Sequence, residues 1–307
     1  CLCYHKWKAE VFMAQQRFGR LIFIPGRNQG KYPFCNSLFV DDEIRAVIDP
    51  ASDEAAMAEL ARTEKPEILI NTHYHEDHFT WNYLFQGAKL YVHAADAPCF
   101  SSLDALLDAY GITDPGALDG WKQILTEHFN YREQEPDHLL EDGQVLDFGR
   151  TRLQVVHTPG HTPGHCGFYC EAEGVLFTAD LDLTRFGPWY GDRVSSIADT
   201  LASIDRLEQF PARVYITSHN MGIIREDVEA LVRAYREVVL RREEKIIGLL
   251  DGPRTVEEIA AHWPIYKKPR EPLMFYQFGE QGMVRKHLEY LVEQGRAAEE
   301  AGRYFLV

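Results

Sequence analysis

The stretch EILINTHYHEDHFT, residues 67–80, restricts what this chain can fold into more than any other. Ile68, Leu69 and Ile70 form a continuously apolar run, the pattern of a strand buried on both faces of a parallel sheet. Directly after it, His73, His75, Glu76, Asp77 and His78 fall within six positions. A surface helix would rotate the three histidines onto different faces and would need no apolar strand before them. A turn at the strand's carboxyl end accounts for both halves, and open α/β sheets place ligands at that edge. From an extended turn, His73 and His75 face one cleft, while Asp77 and His78 turn back to offer an oxygen and a nitrogen beside them. Such a donor set matches zinc, iron or manganese. A solvated charged loop is the plainer alternative, and so many ligand-type side chains after one buried strand weigh against it.

From RLIFIPG onward, short strand-like runs (SLFVDD, IRAVIDP, KLYVHA) alternate with helical ones such as SDEAAMAELART, which predicts a layered α/β core. GRNQGK, residues 26–31, looks like a phosphate loop but has one residue too few between its glycines, and Tyr32 stands where Ser or Thr belongs. It reads as a connecting turn. Residues 98–138 read as helices inserted between strands, with Asp114 and Pro115 as cap and first helical position. Their Leu, Trp and Tyr residues are expected to pack, with roofing of the cleft as the alternative. GFYCEAEGVLFTADLD predicts a hairpin turning near Glu173 and Gly174, and a long helix is expected over about 225–250. Beyond it, Thr255 and Glu258 form a capping box, GMVRKHLEYLVEQG is an amphipathic helix ending at Gly295, and RAAEEAGRYFLV gives two short strands. This is the outline of a winged helix. Glu289 and Glu293 offset Arg285 and Lys286, so the second helix lacks the basic face of a nucleic-acid reader. A packing or homodimer-forming appendage is expected instead.

No apolar stretch approaches the length of a membrane span. The balance of 32 basic against 47 acidic residues, a net −15, argues against nonspecific attraction to a phosphate backbone. The six cysteines, at 1, 3, 35, 99, 166 and 170, lack the spacing of a disulfide scaffold, so a reducing, cytoplasmic setting is expected. The opening CLCYHKWKAEVF has no signal-peptide core. Residues 1–12 are expected outside the folded core, their Cys-x-Cys and His being a weak candidate for a second metal site.

Further along, TPGHTPGHC, LFTADLD and VYITSH each place a His or Asp at the end of a strand-like run. In an α/β sheet such ends converge on one edge. The ordered set of Asp49 in AVIDPA, His-x-His-x-Asp-His at 73–78, His161 in TPGHT, Asp180 in FTAD and His219 in ITSH resembles the metallo-β-lactamase superfamily over roughly residues 20–220. The tail resembles the winged helix of a subgroup typified by β-lactamase-like protein 2. The resemblance implies an αββα sandwich over residues 1–241 and a small winged-helix-like domain over 242–307. It implies two divalent metal ions, zinc by preference: His73, His75 and His161 on the first, Asp77, His78 and His219 on the second, Asp180 bridging. Asp49 would not be a ligand and would orient the His-rich loop by hydrogen bonds. The last motif departs from the family's common Gly-His-Gly, with Ser218 and Asn220 flanking His219. Asp182 is expected beside the ligands or in the pocket, and His165 and His93 in structural or supporting places.

Such a centre lowers the pKa of a shared water from 15.7 toward about 7, which removes the need for a Ser or Cys nucleophile. The chain has neither a Gly-x-Ser-x-Gly elbow nor Ser-x-x-Lys. Asp77 is the candidate catalytic residue, aiming the attacking water. The expected reaction is hydrolysis of a small-molecule ester or thioester. Single-stranded RNA cleavage, with Lys267, Lys268 and Arg270 as backbone contacts, is the runner-up. A di-iron oxygen or redox centre is the alternative of another class, weakened by His75 where the family's redox members carry Glu. Arg185, Trp189 and Tyr190 in TRFGPWYGDR are expected to border the cleft, touching substrate or packing.

Overall fold

The computed structural model describes residues 15–307, so the candidate cysteine site at Cys1 and Cys3 and the expectation for residues 1–12 lie outside the described residues. Strands β1 (Gln16–Phe18), β2 (Leu21–Ile24), β3 (Ser37–Val40), β4 (Ala46–Ile48), β5 (Ile68–Ile70), β6 (Lys89–His93) and β7 (His138–Leu140) pair in sequence order as one sheet. Pairing is antiparallel up to β4 and parallel from β4 through β7. The second sheet, ordered β13-β12-β11-β10-β9-β8, comprises β8 (Val145–Asp147), β9 (Arg152–His157), β10 (Cys166–Cys170), β11 (Val175–Phe177), β12 (Val214–Ile216) and β13 (Ile223–Ile224). The predicted hairpin is β10 and β11, with Gly174 left-handed at its turn.

Alternation of side chains explains the layering. In β3 and β4, Leu38, Val40, Ala46 and Ile48 face the second sheet, while Phe39 and Val47 face helices outside. In the second sheet Phe168, Phe177 and Ile216 face inward while Tyr169, Leu176 and Tyr215 face outward. Strands buried on both faces need helices on both outer sides, because apolar side chains alternate with a period of two. Truncating an inner phenylalanine such as Phe168 would cost about 3–5 kcal/mol.

The helices are α1 (Arg27–Gly30), α2 (Glu54–Thr63), α3 (Glu76–Phe79), α4 (Ala97–Ser101), α5 (Leu103–Tyr110), α6 (Pro115–Gln123), α7 (Ile197–Leu207), α8 (Val228–Ile247), α9 (Val256–Ala260) and α10 (Leu273–Glu293). GRNQGK is indeed a turn: α1 is a single turn with Asn28 and Gln29 in left-handed conformation. Asp53 and Ser196 cap α2 and α7, and the Thr255–Glu258 capping box opens α9. Together these layers form a mixed α/β sandwich with α2 and α4–α6 outside the first sheet and α7 and α8 outside the second.

The tail consists of α9, α10 and the antiparallel pair β14 (Ala297–Glu300) and β15 (Arg303–Leu306). The expected division at residue 241 falls within α8, whose Val232 and Tyr235 pack on the second sheet and whose Val239 and Ile246 pack with Met283 and Leu288 of α10. One helix therefore carries the tail and braces the sandwich. Among the described residues no helix is long and apolar enough to cross a membrane.

Candidate metal centre

The ends of β4, β5, β9, β11 and β12 meet at one edge, and the exits are sharply bent. Asp49, Ala179, Leu183 and Asn220 are all left-handed, a conformation costly for residues other than glycine. Asn220, where the family commonly has glycine, tolerates this better than most. After β5, Asn71 donates to the His78 carbonyl at 3.1 Å, and the single turn of α3 brings Asp77 and His78 back beside His73. At the end of β9, Gly160 is left-handed and lies where a Cβ would meet the Thr200 backbone nitrogen at 2.3 Å, so His161 can sit against the start of α7.

All seven predicted ligands converge. His73, His75, His161 and Asp180 present ligand atoms within 4.8 Å of one another, and so do Asp77, His78 and His219. Asp180 divides its oxygens between the two groups. Its Oδ2 is 3.3 Å from His161 Nε2 and 3.9 Å from His73 Nε2, whereas Oδ1 is 3.0 Å from His78 Nε2 and 3.3 Å from His219 Nε2. Asp182 approaches the second group as well, and its Oδ1 accepts the His219 backbone N–H at 2.8 Å.

The outer nitrogen of each imidazole is tied to a partner outside the cluster. His161 Nδ1 donates to the Trp189 carbonyl at 2.8 Å, His219 Nδ1 to the carbonyls of Gly30 and Phe34, and His78 Nδ1 to Asp49 at 3.0 Å. His75 Nε2 donates to Asp192 at 2.8 Å, and His73 Nδ1 lies 2.9 Å from the Thr72 hydroxyl, which itself donates to Asp49. With those protons placed outside, each inner nitrogen presents a lone pair. His73 Nε2 then faces His75 Nδ1 at 3.1 Å and His161 Nε2 at 3.2 Å, and His78 Nε2 and Asp180 Oδ1 are buried with no hydrogen bond. Lone pairs aimed at one another in this way fit divalent cations between them, so the residues present match the group the fold implies.

Burial, with His78 and the other imidazoles adding, holds His73 well below its usual range. For His75 and His219 burial works downward too, but Asp192 and Asp180 respectively prevail, raising them to about 9 and about 10. Burial would raise Asp180, yet His219, His78 and His73 keep it well below the ordinary carboxylate range.

Asp49 takes the supporting place expected of it, accepting from the Thr72 N–H at 2.8 Å, the Thr72 hydroxyl and His78. His165 accepts the Asp180 N–H through Nε2, while His93 stacks on His157 away from the centre. Three contributions are not readable from the motifs. Asp192, fully buried, bonds both His75 and the Tyr74 hydroxyl at 2.7 Å. Glu76, buried, accepts from Tyr32 at 2.7 Å and from Tyr110 at 2.5 Å. The turn at Gly30 supplies a carbonyl to His219.

Above the centre opens a cavity of about 870 Å³. Tyr110 and Trp121 of the insertion line it, so the roofing alternative holds for these two, while Leu106, Leu107 and Leu125 pack as expected. Of the bordering loop, Arg185 and Trp189 reach the cavity, whereas Tyr190 is buried against Arg242 and His287. The tail completes the wall with Tyr266, Phe275, Tyr276 and Phe278.

Residues 31–219 match the metallo-beta-lactamase superfamily, and the chain belongs to it. A metallo-beta-lactamase family protein of Thermus thermophilus superposes with a TM-score of 0.73 at 27% identity, over 94% of this chain and 99% of that one, tail included. The human acyl-coenzyme A thioesterase MBLAC2 is 29% identical over 165 residues, 50% of this chain and 54% of that protein. The hydroxyacylglutathione hydrolase of Francisella philomiragia is 25% identical over 260 residues, 76% of this chain and 88% of that enzyme. Against the human thioesterase the chain spans about half of the relative's length.

Proposed function

We propose that the protein is a metal-dependent hydrolase that cleaves a small-molecule thioester or related carboxylic ester. The observation that carries this reading is the set of five imidazoles whose outer nitrogens are all engaged elsewhere, so that their inner lone pairs, with Asp77 and Asp180, enclose one spot at the floor of a cavity. His73, His75 and His161 would hold one divalent ion, Asp77, His78 and His219 a second, with Asp180 between them and zinc the preferred metal. Bound there, two such ions supply a Lewis acid for the scissile carbonyl and a water acidic enough to attack at neutral pH. Asp77, buried at the cavity floor with Oδ2 3.5 Å from His219 Nε2, accepts a hydrogen bond from the attacking water and aims it. Asp192 and Asp49 fix the faces that His75 and His78 present. The aromatic wall offers apolar surface to the acyl group.

The names of two relatives, an acyl-coenzyme A thioesterase and a hydroxyacylglutathione hydrolase, support a thioester. The outline of the tail, with its helices and hairpin, supports the winged-helix subgroup and serves here as cavity wall. Elemental analysis of protein purified without a chelating tag, paired with assays on a thioester, a lactone and a phosphodiester, tests the proposal. About two metal equivalents with thioester cleavage that His73→Ala abolishes is the expected result. Protein that stays metal-free after reconstitution would sink it, and two irons with a redox-sensitive spectrum and no cleavage would replace it.

A further inference from the structure

The cavity separates its charges. Every carboxylate in its lining, Glu76, Asp77, Asp180, Asp182 and Asp192, lies at the floor beside the imidazoles. The lining supplied by residues 238–279 contains no carboxylate, but it contains Arg241, Arg242, Lys245, Lys267 and Arg270. Arg185 joins them from the loop after β11.

These cations arise from regular structure. Val238, Arg241, Arg242 and Lys245 recur at helical spacing, so one face of α8 is turned toward the cavity. Arg242 on that face is used internally, donating to the carbonyls of Phe186 and Pro188 at 2.6 Å and to the Tyr190 hydroxyl at 3.0 Å. It thereby fixes the loop that carries Trp189. The others are exposed. Among the described residues, no ion pair joins Arg185, Arg241, Lys245, Lys267 or Arg270 to a carboxylate. Lys245 reaches only the Pro264 carbonyl at 3.4 Å, and Arg270 lies over the rings of Tyr266 and Tyr276.

In a chain of net charge −15, five unneutralised cations at one mouth are an exception to the general field. Like charges gathered without ion-paired partners repel one another, and a bound anion relieves that repulsion. One or two carboxylates would leave most of the cluster uncompensated, whereas two or more phosphates match it, and arginine grips phosphate with paired N–H groups. The same lining also holds the rings of Tyr32, Trp121, Phe275 and Phe278, with Tyr32 and Phe275 5.2 Å apart and Trp121 and Phe278 5.6 Å apart by ring centroids.

We infer that the substrate is an acyl thioester whose thiol half carries phosphate groups, held by Arg185, Arg241, Lys245, Lys267 and Arg270 while the acyl chain lies along the aromatic wall. This rests on the hydrolase reading above and adds which end of the substrate goes where. Hydrolysis adds water across the carbonyl–sulfur bond, releasing a carboxylic acid and the phosphorylated thiol, with no redox partner required.

The test compares one acyl group on three thiols: coenzyme A, which carries phosphates, glutathione, which carries carboxylates, and N-acetylcysteamine, which carries neither. The KM for the coenzyme A ester is expected to be at least about tenfold below that of the N-acetylcysteamine ester at low salt, the ratio shrinking as salt is raised. In the Arg241→Ala/Lys245→Ala/Lys267→Ala protein that ratio should collapse toward one. All three are surface side chains, so melting temperature serves as the check on folding. Equal KM values for all three esters, or a ratio unmoved by the triple substitution, would overturn the inference while leaving the hydrolase standing. Preference for the glutathione ester would overturn the phosphate assignment. Calorimetric binding of adenosine 3′,5′-bisphosphate to the wild-type and triple-substituted proteins gives a readout independent of turnover. No binding difference between them overturns the inference even if no thioester is cleaved, an outcome that would separately remove the hydrolase reading. Cleavage of single-stranded RNA that the triple substitution abolishes would assign the rim to a nucleic acid instead.

Discussion

The floor of the cavity and its wall hold polar side chains under opposite rules. At the floor, His75, His78, His161 and His219 are each clamped through an outer nitrogen, and even the clamps are clamped: Asp192 also bonds Tyr74, and Asp49 also bonds Thr72 twice. At the wall, the side chains of Arg241, Lys267 and Arg185 make no hydrogen bond or ion pair among the described residues, and the ring pairs Tyr32–Phe275 and Trp121–Phe278 meet at tilted angles. Buried polar groups must be satisfied or they destabilise, so the floor admits one arrangement. Exposed cations and partly buried rings carry no such demand, so the wall can adapt to what it meets. On the proposed reading, chemistry belongs to the first region and choice of substrate to the second.

If that division holds, replacements at the floor should act on metal content and kcat, and replacements at the wall on KM. The largest effect is expected from His73→Ala or Asp180→Asn, with loss of at least one metal equivalent and a fall in turnover of about a thousandfold or more. Full turnover at reduced metal content would break the assignment of both groups to one centre. Next comes Asp192→Asn, which keeps the shape but weakens the hold on His75. Supporting carboxylates of this kind are worth about 10–100-fold in metal affinity or activity. Competition with a chelator reads the affinity directly, and an unchanged value would mean that Asp192 only buttresses Tyr74.

The floor was legible because its chemistry is concentrated. His73, His75, Asp77 and His78 share six positions after a strand, and His161, Asp180 and His219 each follow a strand-like run, so spacing points to one edge and the family resemblance picks these residues from their neighbours. The sheets were legible for a related reason, since runs such as LFV and AVI leave no polar face for solvent. Asp192 gave no such signal: it lies in a loop with no strand before it, and only the folded path to Tyr74 and His75 reveals its role. Tyr110 and Trp121 sit on helices whose apolar residues could equally pack, and which of them turn outward depends on a few degrees of helix rotation. The basic face of α8 was hidden by the acidic average of the chain and by Glu237, Glu243 and Glu244 interleaved with Arg241, Arg242 and Lys245. Which of these side chains line the cavity follows only once the helix's orientation is known.

A smaller effect is expected where the tail joins the loop. His287 is buried, accepts from the Tyr190 hydroxyl at 3.0 Å, and is held down to about 3 by burial and by Arg242. In the unfolded chain it titrates near 6.5. Between those values the unfolded state binds a proton that the folded state does not, so this contribution is complete above pH 6.5 and is lost as pH falls toward 3. The slope is on the order of 1.4 kcal/mol per pH unit. Urea unfolding at pH 7.5 and 5.5 should show a steeper loss in the wild type than in His287→Leu. Equal losses would mean that the tail's packing does not depend on a neutral histidine.

The smallest effect should come from the wall's rings, and it is the sharpest test of the difference between the two regions. Trp121 and Phe278 touch each other, come from separate parts of the chain, and among the described residues neither ring pairs with the ring of a predicted ligand. Trp121→Ala or Phe278→Ala removes apolar surface from an open, partly solvated wall, so neighbouring rings can close part of the gap. A long-chain thioester should therefore show a KM raised by only about three- to tenfold, with kcat and metal content unchanged. A short acyl group, which does not reach the rings, should show less. If either substitution lowered kcat as strongly as Asp192→Asn, the rings would be positioning the reacting carbonyl, and floor and wall would form one rigid unit.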